Sequence, residues 1–332
     1  MSSLIHDLQD PDQLPDPSGR VKVVQTHISI VFVADDFVYK VKKPVNFGFL
    51  DFSTLEKRLR FCQREIELNR RLSKDIYLDV LPVVFNGKKH LIGAGPGEIV
   101  EYAVKMKRIP EDRLMKSMFD SEKLSDEHLE KIARVLAKFH SSARRDLDID
   151  RFGEPEKFRI NTDENFEQVE KYIGKTISEK QFHLLKTWTD KFYKSNHDLF
   201  LKRIKAEKVR DCHGDLHMEH ICLMDDVSII DCIEFNDRFR YGDALADIAF
   251  LIMDLEYHGG NELSDKLWKK YSEITVETGA EDLLTFYKVY RAFVRGKVIG
   301  FQIDDEAISD EKKQEAVKTA GKYFDLAYSY IS

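Results

Sequence analysis

The chain has 332 residues, 42% of them hydrophobic and 11% aromatic, and a formal net charge of −7. That length suggests one large domain or two lobes, and that composition excludes an intrinsically disordered chain. Mild acidity argues against nucleic acid as the main partner, because phosphate backbones select basic faces. A cationic substrate is allowed but not demanded.

The four cysteines, Cys62, Cys212, Cys222 and Cys232, show no disulfide framework. Reduced thiols in a cytoplasm are expected. Met1 to Gly19 has no apolar run of the signal-peptide kind. No stretch reaches the ~20 apolar residues that span a bilayer. A cytoplasmic protein without membrane association is the expectation.

Asp10 to Gly19, rich in proline, reads as an extended lead-in. Val21 to Gln25, Ile30 to Val33 and Phe37 to Val41 are β-rich runs separated by short polar segments, which predicts an antiparallel meander. A helix follows, with Ser53 and Glu56 as a capping box and Leu55, Leu59, Phe61, Cys62, Leu68 and Leu72 on its apolar side. Strand-like segments return around Val80 to Phe85 and Ile99 to Arg108. The remainder reads as helical. Ser125 caps a helix carrying Leu129, Ile132, Ala133, Leu136, Phe139 and His140, and further helices are expected over Phe166 to Tyr193 and Leu283 to Ile303. One hairpin, His220 to Phe235, interrupts them. The predicted fold is α+β, with a small N-terminal lobe (residues 1–109) of antiparallel sheet and one helix. A larger, mostly helical lobe (residues 110–332) follows, joined through a hinge near Lys107 to Asp112.

The hairpin carries the first chemical signal. His220 to Met224 and Val227 to Asp231 flank Asp225-Asp226, which fits a two-residue turn. That register sets His220 opposite Asp231 and leaves Asp215 just before the first strand. Either aspartate alone would pass as a turn or strand-end residue. Two carboxylates and an imidazole together suggest metal binding or acid–base work. Phosphoryl transfer needs these types: one carboxylate to orient the acceptor hydroxyl, another to hold a metal against the phosphates, and a lysine on those phosphates.

A lysine–glutamate pair is the second signal. Glu65 has Phe61, Cys62, Leu68 and Leu72 as its helical neighbours, so its carboxylate lies in the buried stripe and needs a cation. Lys40, in a strand-like run, is the favoured partner, and Lys42 competes with it.

These residues reach a recognisable pattern. His213-Gly214-Asp215-Leu216-His217 followed by Ile230-Asp231 resembles the catalytic and metal-binding segments of the aminoglycoside phosphotransferase and choline kinase superfamily, which has the protein-kinase-like fold. Thr26 to Ser29, Tyr39 to Pro44, Asn46 to Thr54, Asp231 to Asn236 and Tyr290 to Lys297 resemble more closely the phosphotransferase-like half of a two-domain bacterial family. Members of that family usually also carry a P-loop ATPase domain. The resemblance implies a kinase moving the ATP γ-phosphate to a small-molecule hydroxyl. Asp215 would be the catalytic aspartate of a motif that includes His213, and Asp231 a metal ligand. Lys40 would contact phosphate, with Glu65 as its partner. Asp247 would brace the catalytic loop, and Met106 to Ile109, including Arg108, would be the adenine-contacting hinge, mainly through backbone groups.

Three departures accompany it. His220 stands where the superfamily has a metal-ligating asparagine; imidazole suits Mg²⁺ poorly, so Mn²⁺ becomes an alternative. No glycine-rich motif covers the phosphates, which leaves Thr26 to Ser29 to do so. No GxxxxGK[ST] occurs, so a P-loop ATPase would be a separate partner. Histidines 213, 217 and 220 beside Cys212 and Cys222 have no zinc spacing. Arg291 and Arg295 share a helix face and could meet an anionic group or a salt bridge. Glu234, Asp237, Asp243, Asp254 and Glu256 would line a polyamine pocket or, more blandly, a charged surface. Two other readings stand beside the kinase: a nucleotide-binding module without turnover, and a metal hydrolase built on the His/Asp cluster.

Overall fold

The chain begins with a helix, α1 (Ser2–Leu8), which the proline-rich lead-in had hidden. Leu4 and Leu8, one turn apart, bury themselves with Leu14 against the first sheet. That sheet is built from β1 (Lys22–Gln25), β2 (Ser29–Val33), β3 (Phe37–Lys42), β4 (Tyr77–Phe85), β5 (His90–Ile92) and β6 (Glu98–Lys107). The strand order is β1-β2-β3-β6-β4-β5, antiparallel at every pairing.

Helix α2 (Leu55–Asn69) follows β3. Its cap is Thr54, whose hydroxyl accepts the Lys57 amide at 3.2 Å. The expected box on Ser53 fails because Asp51 already accepts the Ser53 amide and hydroxyl. Pleating sends alternate β3 residues to opposite faces. Tyr39 and Val41 join the layer with Leu4 and Leu8, while Val38 packs on the side of Cys62 and Ile66 from α2. Lys40 and Lys42 therefore share the α2 face.

The short α3 (Met115–Asp120) ends this stretch, and α4 (Asp126–Ser142) begins the helical part. Ser125 caps α4 as expected, with His128 completing the box. Next come α5 (Leu147–Asp150), α6 (Pro155–Val169) and α7 (Glu179–Lys205). The single helix expected over Phe166 to Tyr193 is therefore two. Gly174 at φ 79° breaks it, and Ser178 with Gln181 recaps the chain. Strand β7 (Val209–Asp211) precedes the hairpin β8 (Ile221–Leu223) and β9 (Val227–Ile229). The chain closes with α8 (Asp237–Arg240), β10 (Tyr241–Asp243), α9 (Ala244–Tyr257), α10 (Asn261–Thr275), α11 (Glu281–Gly300) and α12 (Asp310–Ser329). Strands β7 and β10 pair antiparallel.

The computed structural model describes residues 1–305 and 308–332. It divides into two compact units, residues 1–122 with 219–237, and residues 123–218 with 238–332. The boundary expected at 109/110 falls inside the first unit. The hairpin, though far along the chain, belongs to that unit too. Phe166, Phe182, Leu185, Phe250, Phe293 and Phe324 centre the core of the second unit. No described helix is long and apolar enough to cross a membrane.

Candidate functional site

In the first unit the chemistry collects on the α2 face of the sheet. Glu65 is fully buried and bridges two lysines, with Lys40 Nζ at 2.9 Å and Lys42 Nζ at 2.6 Å. The competition between the two lysines dissolves, because the pleat places both within reach. They differ in access. The Lys42 side chain is 1% exposed and also pairs with Glu234; the Lys40 side chain is 16% exposed and reaches Asp231 at 2.6 Å. Only Lys40 can meet a ligand without dismantling the core. Burial works against the Lys40 charge, but Asp231 and then Glu65 outweigh it and hold the ammonium well above its usual range. Burial also pushes Glu65 up, and Lys40 and Lys42 bring it below the usual carboxylate value.

Asp231 arrives there by a register other than that of a two-residue turn. The register pairs Ile221 with Ile229 and Leu223 with Val227, so the loop has three residues, Met224 to Asp226. His220 therefore faces Ile230, whose amide it accepts at 2.9 Å. A one-residue slip normally sends a side chain to the opposite face. Here Asp231 lies past the strand end at φ 62°, a left-handed conformation that aspartate tolerates better than most residues. His220 Nε2 still lies 3.6 Å from Asp231 Oδ2. The turn is pinned by side chains. Tyr77 accepts the Asp231 amide at 3.0 Å, and Asn69 accepts that of Cys232 at 2.9 Å. Neither was singled out from sequence.

Other expected nucleotide contacts have structural duties. Thr26 Oγ1 accepts the amides of Ile28 and Ser29, at 3.3 and 3.0 Å, within the β1–β2 turn. The Ser29 hydroxyl is buried. Those groups are spent on the turn or hidden, which leaves little of Thr26 to Ser29 to cradle phosphates. Met106 is a buried sheet residue paired with Val38 and Tyr77. Arg108 ties to the carbonyl of Ala34 at 3.1 Å.

In the second unit the loop after β7 carries the His-Gly-Asp motif. Gly214 has φ 88°, a conformation that costs little only without a Cβ. Asp247, on α9, accepts the amides of His213 at 2.6 Å and Gly214 at 2.9 Å. Asp254, two turns further along α9, accepts the Met218 amide at 2.9 Å. Arg291, on α11, donates to the Gly214 carbonyl at 2.8 Å and to that of Ala246 at 3.1 Å. Three charged side chains thus hold one loop. The seven-residue spacing of Asp247 and Asp254 was a readable sign that both face it.

Asp215 remains 34% exposed amid these buried groups, and His217 Nε2 lies 3.6 Å from its Oδ2. Burial lowers the His217 pKa, and Asp215 more than compensates, so the ring is raised above its ordinary value. His213, expected beside Asp215 as catalytic, is fully buried, and its Nδ1 accepts the Asp215 amide at 3.3 Å. That contact helps to position the loop.

The acidic residues proposed for a polyamine pocket are engaged elsewhere. Glu234 pairs with Lys42, Asp237 with Arg64, Asp243 with Arg203, Asp254 with the Met218 amide, and Glu256 with Lys288.

Burial pushes Asp247 up, but His140, then His213 and Arg291, hold it at about 2. A depressed carboxylate stabilises the fold above its unfolded pKa and loses that contribution as pH falls through the folded value. Asp247→Asn is therefore expected to cost about 2 kcal/mol at pH 7. It should also flatten the acid limb of stability between about pH 4 and 2. Urea unfolding across that range checks both.

Residues 48–283 match the sequence profile of the phosphotransferase enzyme family. The chain belongs to that family. The match spans Glu65, Asp215, Asp231 and Asp247, and stops short of Lys40 and Arg291. Uncharacterized proteins of Mycobacterium tuberculosis and Mycobacterium bovis are each 36% identical over 279 residues, covering 84% of this chain. The chain spans about half their length, 54%. A choline/ethanolamine kinase family protein from Mesorhizobium loti superposes with a TM-score of 0.54 at 13% identity, over 94% of this chain and 92% of that one. The fold is protein-kinase-like: an antiparallel sheet unit with α2 against it, and a mostly helical unit.

Proposed function

We propose that this family member is an ATP-dependent kinase acting on a hydroxyl group of a small molecule. The observation that carries the reading is the Lys40–Glu65–Asp231 set, with a solvent-reaching lysine held between a buried carboxylate and an exposed one. Lys40 exchanges Asp231 for phosphate oxygens while Glu65 keeps its ammonium in place. Asp215 accepts the hydroxyl hydrogen bond and aims the oxygen at the phosphorus. Asp247, Asp254 and Arg291 keep the Asp215 loop from shifting.

Asp231 is 43% exposed, and its Oδ2 lies beside His220. One carboxylate and one imidazole fit a divalent cation, and they suit Mn²⁺ better than Mg²⁺. Asp231 and His220 would hold the ion, which supplies charge neutralisation on the phosphates. The expected outcome is a larger thermal shift with MnATP than with MgATP, and a preference that reverses in His220→Asn. Equal shifts in both proteins would remove His220 from the site.

The decisive test is a thermal shift with either metal nucleotide, followed by ADP release over a library of hydroxyl acceptors. No nucleotide shift, with Asp231→Ala indistinguishable from the parent, ends the proposal. His220 favours one second reading, a nucleotide-binding module without turnover. Tight binding, no transfer to any acceptor, and no response to Asp215→Asn would select it.

A further inference from the structure

Helix α11 presents a second arginine one turn beyond Arg291. Residues four apart share a helix face, so Arg295 lies on the side that Arg291 uses to hold Gly214, the neighbour of Asp215. The Arg295 guanidinium lies over the Tyr323 ring, 5.6 Å from its centroid. Tyr323, from α12, stacks flat on Tyr257, from α9, with centroids 3.7 Å apart and planes 4° from parallel. Two tyrosine rings from two helices thus back one guanidinium.

Other buried arginines in this unit meet carboxylates. Arg203 pairs with Asp243, Arg240 with Asp211, and Arg291 lies 3.8 Å from Asp247. Arg295 forms no close ion pair among the described residues, and its buried Nε has no hydrogen-bond partner. The guanidinium has Tyr323 as a hydrogen-bonding neighbour and no paired carboxylate, so a charge-assisted bond to an oxyanion is the strong contact still open to it. Burial opposes its charge, and Tyr323, then Asp215 and Asp254, keep it protonated. The side chain is half-buried, and Asp215 is one-third exposed, so both reach solvent.

We infer that Arg295, backed by Tyr257 and Tyr323, binds an oxyanion of the acceptor, so that the substrate is an anionic alcohol carrying a carboxylate or a phosphate. The inference rests on the reading of Asp215 as the residue that orients the acceptor. Arg295 selects the substrate and does not act on the transferring group. A cationic or neutral alcohol offers its guanidinium no oxyanion.

The test uses the full chain without nucleotide, titrated with D-glycerate, glycerol 3-phosphate, glycerol and choline and read by thermal shift. At least one anion is expected to raise the melting temperature, while glycerol and choline do not. Which anion does so separates a carboxylate from a phosphate ligand. Arg295→Gln should weaken that binding about tenfold or more, and Arg295→Lys by less, because lysine keeps the charge and loses the fork. The metal–nucleotide shift should survive in both variants, which shows that they are folded. The inference is overturned if neither anion binds, if choline binds instead, or if the anion affinity of Arg295→Gln stays within about twofold of the parent. If anions bind through Arg295 but no metal nucleotide binds, the kinase reading fails and the anion site stands.

Discussion

Asp215→Asn is expected to lower phosphate transfer by about 100- to 10,000-fold, the usual worth of a positioned acid–base group. Nucleotide binding should hardly change, since Lys40, Glu65 and Asp231 keep their contacts with one another. The fold should persist as well, because Asp215 is partly exposed and the loop is held through its backbone by Asp247 and Arg291. One effect on stability is predictable in sign. His217 is raised above its ordinary value by Asp215, so the pair stabilises the fold below the unfolded histidine pKa and fades as pH rises through the folded one. The variant should therefore lose more melting temperature at pH 6 than at pH 9. Turnover within about twofold of the parent would remove Asp215 from the chemistry.

Lys42→Met carries the largest expected cost in stability, about 3–5 kcal/mol, the loss typical of breaking a buried ion pair from one side. Glu65 keeps Lys40, whereas Glu234 loses its cation. Burial, reinforced by Glu65, already raises the Glu234 pKa against the pull of Lys42. A raised carboxylate costs stability above its unfolded pKa and gives it back as pH falls. Lys42→Met should therefore recover stability as pH falls toward the ordinary carboxylate range, and adding Glu234→Gln should restore much of the loss at pH 7. Chemical denaturation of both variants checks this. A double variant no more stable than the single one would show that Glu234 is not what Lys42 neutralises.

These expectations differ in how visible they were beforehand. Glu65 was legible because a carboxylate in an apolar helical stripe must find a cation. That it serves two lysines follows from the pleat, since residues 40 and 42 point the same way. Glu234 was not legible as the partner of Lys42, because the two are 192 residues apart and no local pattern links them. The hairpin was visible, but its register was not. One extra loop residue moved His220 opposite Ile230, and the left-handed turn at Asp231 brought the two side chains together anyway. Tyr77 and Asn69 act on that turn from 154 and 163 residues away, so only the folded chain reveals them. Asp247 is implied by the resemblance, and Asp254 is legible only from its helical spacing to Asp247, seven residues away.

The hairpin's membership in the first unit has a consequence for how the chain is made. Lys40 and Asp231 lie 191 residues apart. At ~5–20 residues per second, roughly 10–40 s of synthesis separate them on a ribosome. During that interval the nascent sheet holds two lysines against the single carboxylate of Glu65, an excess of positive charge. Asp231 and Glu234 then arrive together on one segment and turn the excess negative. The cluster changes sign only when the hairpin docks, and the surplus negative charge comes to rest on Asp231, its most exposed member.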